Sequence, residues 1–142
     1  MKYILIVLCI ALCAGWIDPF RGKVSKGNEA YHDKQYQQAA KNYNEAEPYA
    51  PNDEARKKLA FNKAAADYMK GDYESSIALY NEAAASDDPE TKKKAFFNMG
   101  NAYVKIDKKQ EAFESYMNAL KIDPGYVNAK KNIEYLLKKD EN

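Results

Sequence analysis

Side chains that could catalyse a reaction are few in this sequence, and none has an evident partner. His32 is the only histidine, and no serine or cysteine accompanies it in a pattern typical of nucleophilic catalysis. Both cysteines, Cys9 and Cys13, lie in an apolar N-terminal stretch, where they are interpreted as apolar filler and not as a metal site. Carboxylates such as Glu45 and Asp53 fall at predicted helix ends or outer faces, where capping and solvation account for them. The sequence has neither a glycine-rich phosphate loop nor metal-ligand spacing, so we expect no enzymatic activity, no cofactor and no metal.

The side chains suited to binding are amides, lysines and aromatic rings. Asparagine both donates to and accepts from a peptide backbone, and lysine supplies a point charge for a carboxylate. These types recur on one face of the predicted helices, where no acidic residue accompanies them. The candidate binding residues are Asn28, Tyr31, Lys58, Phe61, Asn62, Tyr68, Lys94, Phe97, Asn98, Asn101, Lys105, Lys131 and Asn132. They predict a surface for an extended peptide with carboxylates; the alternative is that the asparagines only keep this face hydrated.

Residues that recur in register indicate which elements position these side chains. Three columns hold mainly small residues and one holds tyrosine: Gly27, Ala64 and Gly100; Ala39, Ser76 and Ala112; Ala46, Ala83 and Ala119; Tyr43, Tyr80 and Tyr116. The first column repeats after 37 and then 36 residues, and such a period indicates stacked supersecondary units. Antiparallel helices approach closely only where side chains are small. The columns therefore predict helix pairs, with each tyrosine filling the space between layers.

Apolar periodicity and breaker residues predict an all-α domain over residues 24–142. Three helix pairs are expected at about 24–52, 53–88 and 89–124, with helices near 24–34, 36–47, 53–70, 73–85, 89–105 and 108–121. A last helix over 127–139 has no partner and is expected to cap the stack. Residues 16–23 are expected to be an extended lead-in, because Pro19 disfavours helical geometry at Asp18. The first helix of each pair should line the concave face, which carries the candidate binding residues.

The N-terminal residues 1–15 differ from the rest of the chain. Lys2 precedes a short apolar run that ends in small residues, which is typical of a secretory signal peptide or an anchor. Three interpretations remain open: cleavage near residues 13–15, an uncleaved anchor with Trp16 and Phe20 at the membrane interface, or a lipoprotein acylated at Cys13. Each places the domain in the periplasm, or membrane-anchored and facing it. Membrane association would occur through residues 1–15.

Composition and charge exclude further classes of protein. Hydrophobic residues make up 46% of the 142 residues and charged residues 30%, which is typical of a globular chain. The formal net charge is +1, from 22 basic and 21 acidic side chains, so we expect no bulk nucleic-acid binding.

The repeated unit resembles the tetratricopeptide repeat (TPR). The third unit, AFFNMGNAYVKIDKKQEAFESYMNALKIDP from Ala95 to Pro124, carries the resemblance best. The earlier units show GNEAYHDKQYQQAAKNYNEA and AAADYMKGDYESSIALYNEA. Two departures occur: Lys109 stands where the other units have tyrosine, and Ala64 stands where the motif has glycine. The resemblance implies a right-handed α-solenoid of about three helix pairs with a capping helix, acting as a protein–protein interaction scaffold.

Some TPR domains hold a C-terminal carboxylate with a clamp of Lys, Asn, Asn, Lys and Arg. On that pattern Asn28, Asn62 and Lys94 match, whereas Val24 replaces the first lysine and Asn98 replaces the arginine. The resemblance thus implies an incomplete clamp, beside the more general possibility of a peptide groove.

The outline of the whole chain is similar to the small TPR proteins of bacterial aerotolerance (Bat) operons. That similarity implies partners among membrane proteins with von Willebrand A domains. The alternative is an outer-membrane-assembly or secretion lipoprotein of TPR type, which acylation of Cys13 would distinguish.

Overall fold

The computed structural model describes residues 18–140. This part of the chain contains seven α-helices and one short 3-10 helix, and it contains no strand. The helices are α1 (Pro19–His32), α2 (Tyr36–Ala46), α3 (Asp53–Lys70), α4 (Tyr73–Ala83), α5 (Pro89–Lys105), α6 (Lys109–Ile122) and α7 (Val127–Asp140). The 3-10 helix, Glu47–Tyr49, follows α2 directly. The predicted all-α fold is confirmed.

Polar side chains cap the start of α3, α4 and α5, as Asp18 does for α1, and a glycine ends α3. Asn52 accepts a hydrogen bond from the backbone N–H of Ala55 at 2.8 Å, and Asp72 and Asp88 cap α4 and α5 in the same way. Gly71 ends α3 with a φ of 85°, a left-handed conformation that favours glycine.

Helix α1 begins earlier than the sequence predicts. The predicted extended lead-in 16–23 is wrong for residues 19–23, which are helical. Among the described residues of this stretch Asp18 alone is extended, with φ −78° and ψ 103°, and its carboxylate accepts from the backbone N–H of Arg21 at 3.2 Å. Pro19 occupies the first turn, where its missing N–H costs no hydrogen bond. Phe20 and Val24 then pack against the core of the first helix pair.

The helices stack as three successive pairs and a cap. Short loops join α1 to α2, α3 to α4 and α5 to α6, so each pair is antiparallel. The second helix of each pair contacts the next element along the chain, and α7 packs on α6. The first helices α1, α3 and α5 also contact one another in sequence, so they share one face of the stack. The alanines of the small-residue columns are fully buried at these contacts.

The glycine column receives the tyrosine of its own pair. A Cβ atom on Gly27 would lie 2.3 Å from Cε1 of Tyr43, and one on Gly100 would lie 2.5 Å from Cε1 of Tyr116. The tyrosine ring therefore rests on the first helix where a side chain is missing, and does not merely fill space between layers. In the second pair Ala64 takes the glycine position, and the Ser76 hydroxyl donates to its carbonyl at 2.9 Å.

A polar contact joins the start of α3 to the loop between α4 and α5. Glu54 accepts hydrogen bonds from the buried Ser86 hydroxyl and from the backbone N–H of Asp87, the latter at 3.0 Å. These donors hold the pKa of Glu54 below its ordinary value.

Residues 1–15, with Cys9 and Cys13, lie outside the described residues, as do Trp16, Ile17 and residues 141–142. None of the helices in residues 18–140 combines the length and apolar character that a membrane span requires.

We expect Gly27→Ala to lower the free energy of unfolding by about 1–3 kcal/mol, because the new Cβ overlaps the Tyr43 ring. Gly22→Ala is a matched control in the same helix. A Cβ there meets nothing within 4 Å, so this change should raise stability by about 0.5–1 kcal/mol through helix propensity. Urea unfolding followed by circular dichroism measures both, and equal effects of the two would contradict the ring-on-glycine contact.

Glu54→Gln should flatten the acid side of the stability profile. A lowered pKa means that Glu54 stabilises the fold above its ordinary value of 4.5, and that this contribution is lost as the pH falls through the lowered pKa. The difference in unfolding free energy between wild type and variant should therefore shrink on acidification. Unfolding midpoints between about pH 7 and about pH 3 test this. Glu82→Gln, on the exposed face of α4, is the control that should keep the wild-type slope.

Candidate functional site: the concave groove

The face shared by α1, α3 and α5 contains a cavity of about 460 Å³. All three helices contribute to it, and two tyrosines of the second helices reach into it from behind. Its lining residues are Asn28, Tyr31, Tyr43, Phe61, Asn62, Ala65, Tyr68, Met69, Tyr80, Asn98 and Asn101. Among these described residues none is charged, so the cavity combines aromatic rings with amides.

A smaller cavity of about 220 Å³ continues this face towards the C-terminal end. Residues of α3, α5, α6 and α7 line it: Tyr68, Asn101, Val104, Lys105, Tyr116, Asn132, Tyr135 and Leu136. Tyr68 and Asn101 border both cavities, which are therefore contiguous. We call the two together the groove.

Tyrosine hydroxyls fix the orientation of two groove amides. Tyr43 donates to Oδ1 of Asn28 at 2.8 Å, and Tyr116 donates to Oδ1 of Asn101 at 2.8 Å. Asn132 also donates from Nδ2 to Oδ1 of Asn101, at 2.9 Å. Since these oxygens already accept hydrogen bonds, the amide nitrogens of Asn28 and Asn101 are left to donate to a ligand.

Burial keeps these tyrosines neutral. It raises the pKa of Tyr43 to about 12, and it also raises the pKa values of Tyr80 and Tyr116. Each hydroxyl is therefore protonated at neutral pH, and those of Tyr43 and Tyr116 act as donors to the amides.

The second repeat breaks this pattern. Ala64 and Ala65 stand where the first and third repeats have glycine followed by asparagine. Tyr80 accordingly has no amide partner in its own pair among the described residues, and its ring packs on Phe61 with centroids 5.5 Å apart. The small side chain of Ala65 leaves space in the middle of the groove.

Edge-to-face ring pairs support the apolar part of the groove. Tyr31 packs on Tyr36 and Tyr68 packs on Tyr73, each with ring centroids 5.4 Å apart. Both pairs join a groove residue to the start of the following helix, so these rings are held in place by tertiary packing. Met69, which is 45% exposed, adds a flexible apolar contact beside them.

Two of the predicted groove lysines already have acidic partners. The Nζ atom of Lys58 lies 3.7 Å from a carboxylate oxygen of Asp88, and that of Lys94 lies 3.2 Å from one of Glu90. Hydrogen bonds from Lys93 and Lys94 hold the pKa of Glu90 below its ordinary value. The expectation of a face free of acidic residues is therefore wrong at these two positions. Within residues 18–140 no ion pair forms to Lys105 or Lys131.

The structure brings most of the predicted binding residues to the groove. Asn28, Tyr31, Phe61, Asn62, Tyr68, Asn98 and Asn101 line the larger cavity, and Lys105 and Asn132 line the smaller one. Lys58, Lys94 and Lys131 line neither. Phe97 packs elsewhere, with its ring centroid 5.7 Å from that of Tyr116 and 5.1 Å from that of Tyr126.

The tyrosine column also belongs to the site, which was not predicted from the sequence. Tyr43, Tyr80 and Tyr116 belong to the second helices, which were not expected to reach the concave face. The signal was present: a glycine opposite a tyrosine lets the ring cross the first helix, so that its hydroxyl reaches an amide on the far side.

Metal-ligating side chains do not form a group in residues 18–140. No group of three or more histidine, cysteine, aspartate or glutamate side chains could hold a metal ion there. The side chain of His32 is 91% exposed, and its Nδ1 lies 3.4 Å from a carboxylate oxygen of Asp33. What this arrangement offers is hydrogen-bond donors over an aromatic floor.

Known proteins share both the repeat and the fold. A family model for the tetratricopeptide repeat matches residues 94–126. Heat shock protein STI1 of Saccharomyces cerevisiae is 32% identical over 103 residues, which are 68% of this chain and 16% of that relative. The chain thus spans only a small part of that relative's length.

Two solved structures are similar over most of the chain. The TPR2AB domain of yeast Sti1 in complex with pHSP90 superposes with a TM-score of 0.73 at 29% identity, covering 86% of this chain and 48% of that one. The TPR domain of Arabidopsis OM64 superposes with a TM-score of 0.72 at 26% identity, covering 84% and 94%. With its three helix pairs and their glycine, alanine and tyrosine columns, the chain belongs to the tetratricopeptide-repeat proteins.

Proposed function

We propose that this chain is a non-enzymatic scaffold of the cell envelope, and that its groove binds an extended segment of a protein partner. One observation carries the proposal: tyrosine hydroxyls hold groove amides so that their nitrogens are free to donate. An extended peptide presents backbone carbonyls at regular intervals, and preset amide donors suit them. The aromatic floor accepts the apolar side chains of such a segment.

The similarity to yeast Sti1 supports a peptide or protein partner. That TPR domain is solved in complex with pHSP90, and it is 29% identical to this chain. For the present groove we favour a general peptide site over the terminal clamp. Asn28 and Asn62 line the groove, but Lys94 is paired with Glu90, and Val24 and Asn98 replace the other two basic clamp residues.

The envelope setting rests on the N-terminal residues 1–15, whose basic start and short apolar run are typical of exported proteins. Within that setting we propose an aerotolerance-type complex, in which the partner is a membrane protein with a von Willebrand A domain. The second candidate, an assembly or secretion lipoprotein, is favoured by Cys13 alone.

Peptide selection on the full-length chain tests the groove. A random dodecapeptide library with free C-termini should yield enriched sequences that carry apolar and acidic residues. Asn62→Asp replaces an amide donor with an acceptor and a negative charge, so it should weaken the enriched peptides by about tenfold or more, that is about 1.4 kcal/mol. Fluorescence anisotropy with labelled peptides measures this.

The matched control is Asn81→Asp, the same change on the opposite side of the stack, where Asn81 lies near Glu111 and Glu114. It should change peptide affinity by less than about twofold. A selection that enriches nothing, or an Asn62→Asp variant that binds as the wild type does, would remove the groove from consideration.

Stability measurements separate the structural amide from the free one. Asn101→Ala should lower the free energy of unfolding by about 1–2 kcal/mol, because the buried Tyr116 hydroxyl loses its acceptor and Asn132 keeps only its hydrogen bond to that hydroxyl, at 3.2 Å. Asn62→Ala should stay within about 0.5 kcal/mol, since no hydrogen bond of its side chain occurs within residues 18–140. Thermal unfolding of both variants is the measurement, and equal losses would contradict the assignment.

Labelled palmitate separates the two envelope interpretations. On the first candidate, neither wild type nor Cys13→Ser incorporates it in cells. Incorporation into wild type but not into Cys13→Ser would favour the lipoprotein instead.

A further inference from the structure

We infer that the groove takes an acidic group of its ligand at Lys105, at the C-terminal end of the groove, and not at Lys58 or Lys94. This inference rests on the proposed function and adds to it the position and charge of one ligand group. It departs from the clamp pattern, which would place the carboxylate near Lys94.

Lys58 and Lys94 already have acidic partners within the protein. Lys58 is 3.7 Å from Asp88, and Lys94 is 3.2 Å from Glu90. Glu90 also binds Lys93 at 2.7 Å. A ligand carboxylate at either lysine would have to compete with a carboxylate of the protein itself, which lowers the gain from binding there.

Lys105 has no such competing carboxylate among the described residues. It lies in the last turn of α5, and no ion pair to it forms within the described part of the chain. No acidic side chain lines the cavity that it borders. Glu134, on the neighbouring helix α7, is bound by Lys138 at 2.7 Å. The end of α5 favours a cation through its dipole, but it supplies no counter-ion.

Asn101 is the neighbouring residue that would bind the same carboxylate together with Lys105. Asn101 lies one helical turn before Lys105, so both side chains project from the same face of α5. Its oxygen accepts from Tyr116 and Asn132, so its amide nitrogen is the group left to donate. An ammonium group and an amide N–H side by side match the two oxygens of one carboxylate.

The rest of the ligand would contact the residues around Lys105 and the larger cavity. Val104 and Tyr135 flank the Lys105 cavity and are 36% and 63% exposed. Tyr68 connects this cavity to the larger one, whose centre is opened by Ala65. The ligand is therefore an extended peptide with a carboxylate at Lys105 and an apolar side chain in the larger cavity.

The test runs the free-C-terminus dodecapeptide selection in parallel on full-length wild type, Lys105→Glu and Lys94→Glu. Both substitutions reverse the charge of an exposed lysine on α5, which makes Lys94→Glu the matched control. Acidic residues should be enriched in the wild-type and Lys94→Glu pools and depleted in the Lys105→Glu pool. For one wild-type peptide, Lys105→Glu should raise the Kd by about tenfold or more and Lys94→Glu by less than about threefold.

Each other outcome has a defined meaning. If the Lys94→Glu pool loses acidic enrichment, or if neither variant pool loses it, the Lys105 site is overturned and the groove is left intact. A wild-type selection that enriches nothing overturns both the site and the proposed function. Lys105→Met, which should also lose acidic enrichment, guards against a folding defect of the glutamate variant, and circular dichroism verifies that each variant is helical.

Synthetic versions of one enriched peptide identify the source of the carboxylate. If amidation of the C-terminus removes the difference between wild type and Lys105→Glu, the bound group is the terminal carboxylate. If glutamine in place of one glutamate removes it, the bound group is that side chain. A difference that survives both changes contradicts a carboxylate at Lys105.

Discussion

The contact of a tyrosine ring with a bare stretch of helix governs both the packing and the binding face of this protein. Gly27 and Gly100 leave no Cβ where the rings of Tyr43 and Tyr116 cross the first helix of their pair. The crossing brings the two helices together and carries a hydroxyl to the concave side. There the hydroxyl donates to the oxygen of an asparagine, whose amide nitrogen is left to donate. The missing Cβ atom of each glycine thus connects the packing of the core to the groove, and a larger residue at either position would disturb both.

The middle repeat shows what happens when that Cβ atom is present. Ala64 has a methyl group where its neighbours have none, and Ala65 lacks the amide that would receive the hydroxyl. Tyr80 packs its ring on Phe61 instead. The two changes occur together, and they give the groove an amide at each end and an apolar opening in its centre. The three repeats are similar in fold, yet they contribute different chemistry to one surface.

Much of this architecture could be predicted from the sequence, because periodic small residues and breakers report directly on helix pairing. Most of the candidate residues on α1, α3 and α5 line the groove for the same reason, whereas Lys58, Lys94 and Phe97 do not. The start of α1 was missed because Pro19 both restricts Asp18 and suits a first turn, and the pattern alone favoured the first effect. The pair between Lys94 and Glu90 follows an i, i+4 spacing that was available in the sequence. The contact of Lys58 with Asp88 joins two helices and needed the tertiary structure. The ring of Phe97 packs on Tyr126, and only the third repeat is followed by an aromatic residue at the position just before the next helix.

The amide and hydroxyl pairs are formed before any ligand arrives, so the protein gives up little freedom when it binds. The loss of conformational entropy on association then comes mainly from the peptide, which must become ordered in an extended conformation. Segments that are already stiff and extended have less to lose, and the groove would discriminate among partners by their flexibility as well as by their side chains.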